Sequence, residues 1–310
     1  RWWHAVPLLA LCLWVEPVRA NLIYGQISFV LGLLFAVGWI ADRRGYPLIA
    51  GVAAGLATGL KLFPGLLLVY FVCARKWKAA GAMVVGAVGL NAVAAAVFGV
   101  SAFETYIREV LPAVKFFQSS MLNASLHGFW NRFAYAPDLA SPFGERPMFA
   151  TAGLGVSLLA VAAVVGWAGW RSRKENDPDR GWAVGIAALT LASPIAWGHY
   201  YVMLVIPFAV AVARWRAIPA RVLLGLIGLL MAVKDTIYPA VFFSEWNRKL
   251  IQKDLRHGDY PLYAVGELFT GVSWLTYANL ALLVLVAVMP PLTPPPSSAG
   301  TPAPSPSPGP

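Results

Sequence analysis

RRGYPLIAGVAAGLATGLKLFPGLLLVYFVCARKWK, residues 43–78, decides how this chain is built. Arg43-Arg44 opens it, Arg75-Lys76-Trp77-Lys78 closes it, and Lys61 is the one charge in the apolar run between. Short basic segments stay on the cytoplasmic side of a membrane, so both ends belong to that side. Two full crossings need about 40 residues, and residues 46–74 supply fewer than 30. The stretch therefore reads as a hairpin of two short helices that enters and leaves on one face, broken at Gly59-Leu60-Lys61-Leu62-Phe63-Pro64. Gly51, Gly55 and Gly59 make a small-xxx-small ridge for close helix contact. Pro64 suits the first turn of a new helix, where its missing N–H is no loss.

The rest of the chain agrees with a membrane setting. Of 310 residues, 59% are hydrophobic and 12% charged, and the mean hydropathy is +0.65. These values exclude a soluble domain and define an all-α, polytopic transmembrane helix bundle. The net charge of +10 is not a nucleic-acid footprint. Arg1, Arg43-Arg44, Arg75-Lys76-Lys78, Arg171-Arg173-Lys174-Arg180 and Arg214-Arg216-Arg221 hold 13 of the 24 Lys and Arg, all in short segments between apolar runs. That pattern is membrane topology. Loops 100–148 and 236–261 and the turns at 16–22 and 198–199 then face outward. Residues 1–289 form one transmembrane unit, and 290–310 read as a disordered Pro-rich cytoplasmic tail. Cys12 and Cys73 fall near opposite faces, which argues against a disulfide. The chain opens at Arg1 in an apolar run, without an initiator Met, and reads as if helices preceded it.

Polar residues gather at the outward ends of the spans. Lys61 is costly in hydrocarbon, roughly 2.5–3.5 kcal/mol on insertion scales. Beside a half-helix N-terminus it would bind a phosphate; the other reading is a lysine that snorkels to the interface. His199 follows Trp197-Gly198 and could contact a phosphate or hydroxyl, or move a proton. It could equally belong to an aromatic belt with Trp197, Tyr200 and Tyr201. The outer stretch Asn123-Ala124-Ser125-Leu126-His127-Gly128-Phe129-Trp130-Asn131-Arg132 mixes amides, a guanidinium and rings, as carbohydrate sites do. Arg132 could grip a phosphate bidentately; an ordinary amphipathic surface helix also fits. Asn21, Tyr24, Gly25 and Gln26 start the next span. Gln26, about one turn inside the apolar run, would need a polar partner in a site or between helices. Glu16 and Arg19 could pair at the same mouth. No metal-ligand spacing, P-loop or nucleophile elbow occurs, so neither a metal nor a cofactor is expected.

Glu16-Pro17-Val18-Arg19 through Tyr24-Gly25-Gln26, Gly51…Gly55…Lys61-Leu62-Phe63-Pro64 and Arg75-Lys76-Trp77-Lys78 resemble glycosyltransferase family 87. Asn123-Ala124-Ser125-Leu126-His127-Gly128 with Arg132 resembles its Asn-Gln-Ser-Leu-x-Gly…Arg pattern. Ser193-Pro194-Ile195-Ala196-Trp197-Gly198-His199 resembles its Ser-Pro-x-Ser-Trp-x-His pattern. The resemblance covers roughly residues 10–215, with Ala124 and Ala196 departing from the usual Gln and Ser. It implies a GT-C-like membrane enzyme of a bacterial plasma membrane, its active site facing outward. Such an enzyme transfers a hexose, mannose above glucose or arabinose, from a polyprenyl-phosphate donor to a lipid or glycan acceptor, with inversion and without a cofactor. On that reading Lys61 and Arg132 contact phosphate. His199 is the catalytic candidate, contacting phosphate or acceptor. Asn123, Gln26, Asn21 and Trp197 bind sugar or hold the site together. The family's catalytic carboxylate, an Asp in the first external loop, has no counterpart in the chain. A transporter or lipid flippase, and a non-catalytic scaffold, are the rival readings.

Overall fold

In the computed structural model, residues 15–114, 117–118, 122–134, 147–232 and 273–291 are described. Cys12, the loop 236–261 and the Pro-rich stretch from 292 onward lie outside them. Among the described residues every regular element is helical. They are α1 (Glu16–Ile23), α2 (Ser28–Arg43), α3 (Pro47–Leu60), a 3-10 turn (Phe63–Leu66) leading into α4 (Leu67–Cys73), and α5 (Trp77–Phe98). Short helical pieces follow at α6 (Val100–Thr105), a π turn (Tyr106–Val110), α7 (Leu111–Val114) and α8 (Leu126–Ala134). Then come α9 (Pro147–Glu175), α10 (Pro178–Ala192), a 3-10 turn (Gly198–Leu204), α11 (Val205–Arg214), α12 (Ile218–Ala232) and α13 (Trp274–Ala287).

α5 and α9 are long and apolar enough to cross a membrane, at mean hydropathies of 2.0 and 2.2. Only 6% of the apolar window of α5 is buried, and Val84, Val85, Val88, Val93, Val97 and Phe98 stand exposed. An uncovered apolar surface of this extent belongs in lipid. The core lies instead around α10, where Trp182, Ile186, Leu189 and Leu191 are fully buried against Phe35, Leu67, Tyr70 and Phe71.

The expected hairpin is present. α3 starts beside the basic residues Arg43-Arg44 and runs about 21 Å at 1.5 Å per residue, short of a 30 Å hydrocarbon core. It breaks at Lys61, whose φ of −143° and ψ of 136° are extended, and the chain returns through Phe63–Cys73 to Arg75-Lys76. The glycine ridge packs on α5. A Cβ on Gly51 would lie 2.2 Å from the Ala79 carbonyl oxygen, and one on Gly55 2.3 Å from that of Met83. Only glycine lets the two backbones come this close.

Two expectations need correction. Residues 16–22 are not a turn but most of α1, with Pro17 in its first turn and the Arg19 guanidinium bonded to Glu16 at 2.8 Å. Gln26 is not a turn inside the next helix. Gly25, at φ +58°, ends the α1 segment, and Gln26 lies in the connection before Ser28. The Ser193–His199 motif begins where α10 stops: the helix ends at Ala192, because Pro194 disfavours helical geometry at Ser193, which is extended at ψ 140°.

Candidate active site

The site end of the bundle is organised by the extended residues 193–197. Backbone groups inside an apolar bundle must find partners within the protein. Asn123, fully buried, supplies them. Its Nδ2 donates to the carbonyl oxygens of Pro194 (3.0 Å) and Gln118 (2.9 Å), and its Oδ1 accepts from the backbone N–H groups of Ala196 (2.9 Å) and Ser125 (3.2 Å). The Ala124 N–H donates to the Ala196 carbonyl at 2.7 Å. α13 closes the node: the Thr276 hydroxyl donates to the Ala124 carbonyl at 2.9 Å, and the Tyr201 hydroxyl to that of Leu275 at 3.1 Å. Gly128 makes room for the turn, since a Cβ there would sit 2.3 Å from the Asn123 carbonyl oxygen. Asn123 thus holds two loops together, with its amide committed to backbone.

This node presents Trp197, His199 and Tyr200 to the mouth of α1 and α2. Asn21 is buried in α1 and donates through Nδ2 to the His199 carbonyl at 3.0 Å, leaving its own Oδ1 unpartnered. His199 is 7% exposed, and its ring lies 4.9 Å from the Tyr200 ring, 6.2 Å from Tyr24 and 6.3 Å from Trp197, centroid to centroid. The hairpin tip joins them. Lys61 Nζ donates to the Tyr200 hydroxyl oxygen at 2.7 Å and stands 4.1 Å from the centre of that ring, while Phe63 stacks on its Tyr200 neighbour at 5.6 Å. No carboxylate pairs with Lys61 among the described residues.

Asn21, Lys61, Asn123, Trp197 and His199, distributed over 178 positions, therefore converge. Gln26 reaches the same turn through its backbone N–H, which donates to the Asn21 carbonyl at 3.0 Å. Arg132 lies on α8 near the node, and its side chain lies outside the described residues. Tyr200 and Thr276 were not expected as parts of the site. Tyr200 was legible only as a belt aromatic, and Thr276 carries no local signal in an apolar run.

The opposite, basic end holds a network that sequence reading also missed. The Asp42 carboxylate accepts from Lys76 Nζ (2.6 Å), the Tyr70 hydroxyl (2.7 Å) and Trp182 Nε1 (3.0 Å). Asp179 accepts from Trp39 Nε1 at 2.8 Å and pairs with Arg43 and Arg214, both at 3.2 Å. Asp177 caps α10 by accepting the Arg180 N–H at 3.2 Å and holds a bidentate pair with Arg214. Burial works to raise the Asp177 carboxyl. The Arg214 hydrogen bonds and charge, with those of Arg180, outweigh it and hold the group below its ordinary value. Arg180, counted above among the loop cations, is fully buried. Its NH1 and NH2 donate to the carbonyls of Ala287 (2.7 Å) and Met289 (2.8 Å) at the end of α13.

A helical membrane bundle with an ion-pair network at one end and, at the other, polar groups gathered around a hairpin-tip cation is the class this architecture defines. The family model of glycosyltransferase family 87 matches residues 1–194, and the chain belongs to that family. The match stops at Pro194, just before Trp197 and His199. A Mycobacterium tuberculosis (strain ATCC 25618 / H37Rv) polyprenol-phosphate-mannose-dependent alpha-(1-2)-phosphatidylinositol mannoside mannosyltransferase is 31% identical over 236 residues, 74% of this chain and 48% of that protein. A Mycolicibacterium smegmatis polyprenol-phosphate-mannose-dependent alpha-(1-2)-phosphatidylinositol pentamannoside mannosyltransferase is 28% identical over 200 residues, 63% of this chain and 45% of that protein. The chain thus spans about half the length of the curated relatives it matches. No solved structure matches it.

Proposed function

We propose that the chain carries the donor site of a membrane mannosyltransferase. The donor is a polyprenyl-phosphate-linked mannose and the acceptor a glycolipid such as a phosphatidylinositol mannoside. The observation that carries the reading is Lys61: a cation at the tip of a membrane hairpin, held by a neutral phenol at 2.7 Å and paired with no described carboxylate. A half-buried ammonium at the tip of a membrane hairpin favours a counter-ion, and a lipid phosphate arriving within the bilayer supplies one. Family membership and the names of the relatives support the same donor.

In the transfer, an acceptor hydroxyl oxygen bonds to the anomeric carbon as the bond from that carbon to the phosphate oxygen breaks. The leaving polyprenyl phosphate keeps the electron pair, and the Lys61 ammonium stabilises its growing charge. The acceptor's proton goes to a carboxylate outside the residues of this chain, the external-loop Asp that the family resemblance implies. The unpartnered Oδ1 of Asn21 is an acceptor for a sugar hydroxyl, and His199 and Trp197 line the same mouth. Asn123 acts as the pin of the 193–197 loop. The positive-inside rule assigns the basic end of the bundle to the cytoplasm and the site to the other face of a bacterial plasma membrane.

Donor titration in nanodiscs tests this. Lys61→Met keeps the side-chain length and removes the charge. It should weaken polyprenyl-phosphate-mannose binding roughly 10- to 150-fold, the worth of a charge-assisted contact of about 1.5–3 kcal/mol. Unchanged donor affinity would overturn the assignment.

A further inference from the structure

A lysine on a hairpin tip has no reason of its own to stay at one point. Its four-carbon stem lets the ammonium swing toward water, and the tip is open on one side, where Leu62 is 86% exposed. A carboxylate would hold the ammonium firmly and would cancel the charge that a phosphate needs. Tyr200 holds it without doing so. Its hydroxyl oxygen accepts from Nζ at 2.7 Å, and its ring faces the same ammonium at 4.1 Å from the centroid. An ammonium has three donors, so two remain for phosphate oxygens.

The ring is itself held from several directions. Phe63 stacks on it at 5.6 Å, His199 meets it edge-on at 4.9 Å, and the Tyr200 N–H donates to the Trp197 carbonyl at 2.8 Å. The next carbonyl back, that of His199, is fixed by Asn21 at 3.0 Å. The position of the Lys61 charge is therefore set from outside the hairpin, by a residue 139 positions away.

We infer that Tyr200 is the positioning residue of the donor-phosphate site, a neutral hook that keeps the Lys61 ammonium in place while leaving its full charge for the phosphate. This rests on the donor reading of Lys61 above. Tyr200 acts through Lys61 and makes no independent contribution to phosphate binding.

The test is a double-mutant cycle of Lys61→Met and Tyr200→Phe in nanodiscs. The affinities measured are those for polyprenyl-phosphate-mannose and for polyprenyl phosphate. Loss of one hydrogen bond predicts about a 5- to 10-fold weakening for Y200F alone, equal for both ligands because they share the phosphate. In the K61M background the same change should shift affinity by less than about 2-fold. If K61M weakens binding and Y200F does not, the positioning role is overturned and the donor reading stands. If the two losses multiply in full, Tyr200 binds on its own and the inference is overturned. If K61M itself has no effect, both fall. 3-Fluorotyrosine at position 200 provides a second variant that keeps the ring and its packing while weakening the phenol oxygen as an acceptor. It should give a smaller loss in the same direction, and no loss would count against the hook.

Discussion

The two ends of this bundle treat charge in opposite ways. At the basic end Asp42, Asp177 and Asp179 are each surrounded by donors, and Arg180 and Arg214 are buried among carboxylates and carbonyls. At the site end Lys61 meets a phenol and Asn21 leaves an oxygen unpartnered. Every acid at the basic end has its donors, although Arg180 Nε and the Ser172 hydroxyl find no hydrogen-bond partner, and paired charges of this kind fix helices against one another. A cation that meets no carboxylate is left with binding energy for an anion that arrives. The contrast separates the part of the molecule that holds the fold from the part that can act on a ligand.

Breaking the basic end should have the largest effect. Asp177→Asn leaves the Arg214 and Arg180 guanidinium groups without their shared carboxylate, and removal of one partner from a buried pair costs about 3–5 kcal/mol. We expect a large fall in thermal midpoint in detergent. A midpoint within a degree or two of the parent would mean that the network is not what holds these helices. Gly55→Val should come next, at about 1–3 kcal/mol. Its first added carbon falls on the Met83 carbonyl and must push α3 off α5, so cysteine cross-linking between these helices should slow. Unaltered cross-linking would argue against the close packing.

Acid sharpens the comparison further. The carboxyl of Asp177 is lower in the folded protein than its ordinary value of 3.8. Its stabilising contribution is therefore complete above that value and is lost as pH falls through the lower, folded one. Stability measured by unfolding should drop on acidification below about pH 4, and less steeply in Asp177→Asn than in the parent. Parallel curves would show that another group carries the acid limb. The smallest effect is expected at the site end. Lys61→Met removes a half-buried cation that is costly beside lipid and should leave the thermal midpoint equal or slightly higher. A drop of several degrees would make Lys61 a structural residue like those at the other end.

The fold was legible in sequence where a single local rule governs it. The paired cations around residues 43–78, the glycines at spacing four and the Lys61–Pro64 break were sufficient for the hairpin. The site was legible in part: Asn21, Lys61, Trp197 and His199 stood out as polar or amphipathic groups at span mouths. The basic-end network was not legible, because Trp39–Asp179 and Asp42–Trp182 each join residues 140 positions apart. One local signal there went unread. Asn176 in the left-handed region at φ +51°, the capping Asp177 and Pro178 at the helix start together spell a tight helix–helix turn. Counting Arg180 as a loop cation hid its burial.

The Arg180 contact also bears on the order in which the protein is put together. Its guanidinium binds carbonyls made more than a hundred residues later, at Ala287 and Met289. During synthesis the first helices enter the membrane well before those carbonyls exist. Until then the charge has its own neighbours, Glu175 at 3.3 Å and Asp177 at 3.5 Å, to keep it near the aqueous surface. In the folded protein the carbonyls at the end of α13 take the place of water around the guanidinium. The same helix brings Thr276 to the Ala124 carbonyl at its far end. The last described helix thus latches both faces of the bundle, so the site depends on a helix far along the chain from the hairpin that carries Lys61.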